Sequence, residues 1–159
     1  MSEIIGYNTP LSSRDIQRIH SYLAIKYAIG LDERTENNRI LISSSGRELW
    51  KNPVGYTGSI AGIGRDDRFE LIQKQSQAST NNPNIIIGIG NISEANHLNN
   101  GTFAENENFL IWGDNSGSGV NRIWRLEATG DLPTLSIAYP QSLSAGQPNL
   151  HLSSSPDFS

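Results

Sequence analysis

The chain has 159 residues, no cysteine and a formal net charge of −4, with 36% hydrophobic and 18% charged residues. That length gives one ordinary domain with its own core. The missing cysteines exclude a disulfide framework, a Cys-ligated zinc and a Cys nucleophile, and the scattered basic residues argue against a nucleic-acid partner.

Residues 3–7, EIIGY, predict a short strand. In the following stretch Ser12 is a good helix N-cap, with Asp15 three residues later. Ile16, Ile19, Leu23 and Tyr27 then recur at helical spacing, and Tyr22, Ile25 and Ile29 widen the stripe. Gly30 is placed to end the helix. The expectation is an amphipathic helix burying Ile16, Ile19, Leu23 and Tyr27. A polar loop follows at 32–38, and from there the period becomes strand-like. Runs at 39–43, 59–64, 69–76, 84–90, 108–114, 121–127 and 134–140 predict strands, with a weaker one at 149–155. The expected fold is mainly β: one antiparallel β-sandwich domain over 1–159 with one N-terminal amphipathic helix.

No apolar run approaches the roughly 20 residues of a membrane helix. Met1 leads directly into Ser2, Glu3 and the strand-like run rather than into a secretory leader. The chain is therefore expected to be part of a larger protein.

GIGRDD (62–67) and GIGN (88–91) invite a phosphate-loop reading. A dinucleotide fingerprint needs a third glycine and then a helix. These glycines are expected to serve bulges or close sheet packing instead. His20, His97 and His151 show no metal-binding spacing. Carboxylates at 66/67 and 105/107 could hydrolyse glycosides only if preorganised, and neighbours on a strand point to opposite faces. Trp112 and Trp124, among Ile, Leu and Phe, read as core. Trp50, beside Lys51-Asn52-Pro53, is the expected exposed Trp and the candidate for stacking on a sugar ring.

Calcium is the small partner that the acidic loops suggest. Asp114 and Asn115 open the glycine-rich turn GDNSGSG (113–119), with Asp66, Asp67 and Asp131 as further oxygen donors. An Asx-rich turn can equally cap its own backbone. Asn91-Ile92-Ser93 and Asn100-Gly101-Thr102 match the glycosylation sequon, as chance allows in an Asn-rich chain.

Taken in order, these motifs resemble a known arrangement. EIIGYNTPLSSRDIQRIHSYLAIKYAIGL (3–31) is similar to the closing strand and trailing helix of concanavalin A-like (LamG-type) modules in large bacterial surface proteins. IAGIGRDD, QKQS, IGIG, FLIWGDN, RIWRLEATGD and PNLHLSSSPDFS resemble an uncharacterised β-domain that follows such modules, of the scaffold or "split" type found in repeat-containing adhesins. The resemblance divides the domain into a strand plus helix (1–30) and a β-rich body (39–155). It implies a non-catalytic structural and adhesion module, secreted or on the bacterial cell surface. Its partners would be neighbouring modules of the same polypeptide and a glycan or other surface ligand. A carbohydrate-binding module is the alternative, and a glycoside hydrolase the third. The LamG sandwich itself is missing, Gly6 stands where a bulky apolar residue is expected, and related domains continue beyond Ser159, so an edge completed by a partner is expected.

Overall fold

The structure is a computed structural model that describes residues 3–31, 40–50, 55–78, 85–115, 123–139 and 151–154. Helix α1 spans Ser13–Tyr27. The Ser12 hydroxyl accepts the Asp15 backbone N–H at 3.2 Å and donates to the Asp15 carboxylate at 2.5 Å, which satisfies one of the orphan donors of the first turn. That hydroxyl, followed by Arg18, holds the Asp15 carboxyl below its usual range. The helix ends at Ala28, in the left-handed region at φ 51°, and not at Gly30. A small side chain suits that position because Ala28 is buried against the core.

The buried face of α1 differs from the expected one. Ser21, Tyr22, Ala24 and Ile25 are buried, Ile16 is 41% exposed, and Ile19, Leu23 and Tyr27 are half-buried. Small residues decide the docking. Ser21 and Ala24 bring the helix close to its support, and the Ser21 hydroxyl both donates to the Gln17 carbonyl (2.8 Å) and accepts the Ile42 N–H (2.9 Å). The bulkier Ile and Leu side chains are left at the flanks.

Nine strands follow among the described residues, all paired antiparallel. β1 (Leu41–Ile42) and β2 (Glu48–Trp50) form a hairpin beneath α1. β3 (Gly58–Asp66), β4 (Leu71–Gln73), β7 (Phe109–Asp114) and β8 (Trp124–Thr129) make a four-stranded sheet in the order β4-β3-β7-β8. β5 (Gln75–Gln77), β6 (Ile86–Ile89) and β9 (Leu135–Ala138) make a three-stranded sheet in the order β5-β6-β9. The result is a mainly β, sandwich-like fold with one N-terminal helix.

Two hydrophobic cores lie on either side of the four-stranded sheet. On the helix side, Tyr22, Ala24 and Ile25 meet Leu41, Leu49, Trp50, Ile60, Leu71, Phe109 and Ile111. On the other side, Ala61, Ile63, Leu110 and Trp112 meet Ile85, Ile87, Ile89 and Phe103. Strand alternation sends Phe109 and Ile111 to one core and Leu110 and Trp112 to the other, so β7 is buried along its whole length.

The predicted strand at 69–76 is in fact two. β4 pairs with β3 in one sheet and β5 with β6 in the other, with only Lys74 between them. Such a sheet-switching corner leaves backbone groups without a ladder partner. Asn96 supplies one: its Oδ1 accepts from the N–H groups of Lys74 (2.6 Å) and Gln75 (3.1 Å), and its Nδ2 donates to the Ile72 carbonyl (3.0 Å).

Two predicted strands are corrected. Residues 3–7 are exposed and belong to no sheet. Residues 151–154 are irregular, and the rest of 149–155 lies outside the described residues. β2, which the pattern did not predict, is too short to show a period.

Candidate functional site

The glycines of GIGRDD are explained by packing. Gly62 lies opposite Ile111 and Gly64 opposite Phe109 in the β3–β7 ladder. A Cβ on Gly62 would overlap the Ile111 side chain, and one on Gly64 would enter the Phe109 ring, 2.5 Å from Cε1 and 2.7 Å from Cγ. The absent side chains are the space that two large β7 residues occupy. After β3 comes a short 3-10 turn, Asp67–Phe69, and not the long helix of a phosphate-binding loop.

The polar residues after these glycines gather at one end of the sheet. Asp66 is buried and accepts the Ser44 N–H (2.8 Å) and the Ser44 hydroxyl (2.6 Å). Beside it Glu107 accepts the Ser45 N–H (3.2 Å) and hydroxyl (2.9 Å). Two carboxylates thus hold the Ser43–Arg47 turn of the β1–β2 hairpin against the end of the β3–β7 ladder. Arg65 grips Asp67 through Nε (2.6 Å) and Nη2 (3.0 Å), and that carboxylate raises the Arg65 pKa above its ordinary value. The Asn108 side chain donates to the Asp131 carbonyl at 2.6 Å.

Asp114 and Asn115 lie at the opposite end. Asp114 pairs with Gly58, the first residue of β3, whereas Asp66 is its last. At about 3.3 Å per strand residue the two carboxylates are roughly 25 Å apart. Asn115 closes the β7–β8 hairpin on its own backbone: its N–H donates to the Ile123 carbonyl (3.1 Å), and its Oδ1 accepts the Ile123 N–H (3.3 Å). The structure therefore does not bring Asp114 and Asn115 together with Asp66 as the sequence pattern suggested. Among the described residues no group of three or more His, Asp or Glu is placed to hold a metal ion. Residues 116–119 of the glycine-rich turn lie outside the described residues.

Trp50 is not exposed as the sequence suggested: it has 0% exposure and fills the helix-side core, with its ring edge above Gly113. Trp112 is buried as expected, and Trp124 is half-buried against the second core. His20, His97 and His151 are each exposed, on α1, on the 3-10 turn Asn96–Leu98 and at 151 respectively.

The sequence reading missed the amide groups that hold the loop at 91–101. The Gln75 side chain acts as a surrogate peptide unit toward Ser93, donating to its carbonyl (2.7 Å) and accepting its N–H (2.8 Å). Asn99, 1% exposed, donates to Gln75 Oε1 (3.1 Å) and the Asn91 carbonyl (3.0 Å), and its Oδ1 accepts the Gly101 N–H (2.7 Å). The only signal for this was the abundance of Asn and Gln, which carries no period. A cavity of about 400 Å³ opens beside this loop, lined by Lys26, Tyr27, Gln77, Ile86, Ser93 and Glu94 among others. The Gln75 and Asn96 amides on its wall are already committed to backbone partners.

At the C-terminal half of α1, the Glu3 carboxylate accepts hydrogen bonds from Tyr22 (3.0 Å), Lys26 (3.0 Å) and Tyr27 (3.0 Å). Lys26 chiefly, with the two tyrosines, holds the Glu3 carboxyl below its usual 4.5. Lys26 also donates to the Tyr22 hydroxyl, which, ahead of Glu3, raises the lysine pKa. Partial burial and the adjacent Glu3 carboxylate raise Tyr27.

These features define a class: a helix-backed, β-sandwich-like domain whose polar side chains clamp loops to strands. The chain belongs to the family described as a domain of unknown function (DUF8202), whose model matches residues 15–159. That match takes in most of α1 together with the β-rich body. No curated protein and no solved structure matches the chain. No helix among the described residues is long and apolar enough to cross a membrane.

Proposed function

We propose that this domain is a non-catalytic structural and adhesion module of a secreted or surface-attached bacterial protein, whose partners are neighbouring modules of the same polypeptide. One observation carries the reading: Asp66, Glu107, Gln75, Asn96 and Asn99 are each engaged in fixing a loop to a strand or a neighbouring loop. A catalytic pair would instead present one carboxylate as a base and another as an acid toward a shared cleft. Hydrogen-bonded loops on a doubly covered sheet suit a domain that must keep its shape without disulfides. The resemblance to adhesin scaffold domains supports the same reading.

The test has two parts. Antibody raised against this chain labels intact producing cells, and protease shaving of those cells releases it. Labelling only after lysis would overturn the surface assignment. Incubation with polysaccharide, ester and peptide substrates leaves them intact. Turnover that disappears in Asp66→Asn or Glu107→Gln would overturn the non-catalytic assignment.

A further inference from the structure

Asn–Gly occurs once in the 159 residues, at Asn100–Gly101. This dipeptide is the chemically least durable pair an Asn can form, because glycine puts no side chain in the way of its own backbone nitrogen. Asn100 is exposed, so water and base reach its side-chain amide. Gly101 is there for a packing reason: a Cβ would lie 2.8 Å from the Ile89 carbonyl oxygen and 2.9 Å from Ile89 Cδ1. The fold therefore requires the labile partner. It also restrains it, because the Gly101 N–H donates to Asn99 Oδ1 at 2.7 Å, and Asn99 is buried and held in place by Gln75 and the Asn91 carbonyl.

We propose that Asn100–Gly101 is a spontaneous deamidation site whose rate is set by the Asn99 latch and which reacts when the 91–101 loop opens. In the reaction the Gly101 backbone nitrogen gives its proton to solvent base and bonds to Asn100 Cγ. The bond from Cγ to the side-chain nitrogen breaks, and ammonia leaves. Water then opens the resulting succinimide at either carbonyl, to aspartate or to isoaspartate. While Asn99 Oδ1 holds the Gly101 N–H, that proton is engaged and the nitrogen is fixed in position, so the first step waits for local opening.

The isoaspartate product adds a methylene to the main chain where Gly101 passes tightly over Ile89. The added methylene must be accommodated where Gly101 packs against Ile89, and the change is irreversible under these conditions.

The experiment incubates the folded chain at mildly alkaline pH, alone and in denaturing urea, and follows the mass gain of deamidation at Asn100 by peptide mapping. The folded chain reacts at least roughly tenfold more slowly than the unfolded one, as expected for a step gated by local opening. Equal rates would overturn the proposal. Asn100→Gln removes the signal and locates it; deamidation that persists at its level elsewhere in the loop would count against the assignment. In the folded state Asn99→Ala reacts faster than the parent. Should that variant not fold, Gln75→Ala, which removes one of the two groups that hold the Asn99 amide without touching Gly101, reads the same effect. A folded variant reacting at the parent rate would refute the latch.

Discussion

Gly64→Ala tests the packing account of the GIG motif. Residue 64 faces Phe109 across the ladder, and a Cβ there falls within the ring, which is 1% exposed and has no free side to turn into. Forcing an extra carbon into a filled core costs about 2 kcal/mol, within the usual overpacking range. For a domain of this length that lowers the melting temperature by roughly 4–8 °C. Phe109→Ala alone removes a buried ring and costs about 3–5 kcal/mol. In the double variant the new methyl group enters the space that the ring vacated. The two effects should then fall short of additivity by roughly 1–3 kcal/mol. Gly30→Ala is the control: nothing lies within 4 Å of its Cβ position, and it should shift stability by no more than about 0.5 kcal/mol. Urea unfolding followed by tryptophan fluorescence gives all four values, since Trp50 and Trp112 are buried and report loss of both cores. A Gly64→Ala variant that unfolds with the parent, or strictly additive effects, would refute the reasoning.

Ile25→Ala, at 2% exposure, should cost about 2–5 kcal/mol, whereas Ile16→Ser, at 41%, should stay within about 0.5 kcal/mol; the reverse order in thermal melts would restore the helix face expected from sequence. Asp66→Ala strands the buried Ser44 N–H and hydroxyl and should cost about 1–3 kcal/mol, with Ser44→Ala in the same background adding less than it does alone; additivity would show that the pair is not coupled. Glu3 has a lowered pKa in the folded state, so its stabilisation is present above the usual 4.5 and fades as pH falls through the lower folded value. The melting temperatures of the parent and Glu3→Gln should therefore differ at pH 7 and converge on acidification below 4.5, and a gap that persisted in strong acid would exclude the carboxylate as its source.

Much of the β body was legible because β3, β6, β7, β8 and β9 are apolar or alternating runs between turn residues, and in β3, β6 and β7 the burial follows the pattern as well, whereas in β8 Leu126 is exposed and in β9 all four residues are only half-buried. The corner at Lys74 was not legible. LIQKQSQ reads as one strand, and alternation says nothing about which sheet a residue joins; the break depends on Asn96, more than 20 residues away. Trp50 was misread for a related reason. Its polar neighbours Lys51 and Asn52 suggested exposure, whereas its burial comes from a three-residue strand and the helix packed over it. The helix itself was visible but its docking face was not, because an apolar stripe this wide leaves the choice to small residues such as Ser21 and Ala24. The acidic residues were read as cation donors or paired carboxylates, and their role as acceptors that clamp a turn was not seen. Their partners, Ser44 for Asp66 and Ser45 for Glu107, come from distant parts of the chain. The separation of Asp66 from Asp114 along the length of β3 follows from a register that no local pattern shows.

The alternation along β7 has a consequence for how the domain fails. Phe109 and Ile111 belong to one core and Leu110 and Trp112 to the other, so neither core can lose this strand and leave the other intact. The helix layer cannot peel away as an independent unit without exposing one face of a strand that the second sheet still needs. Stress applied at either face is shared across the whole thickness of the domain, and the chain should yield in a single cooperative step, as a small domain with one undivided core would.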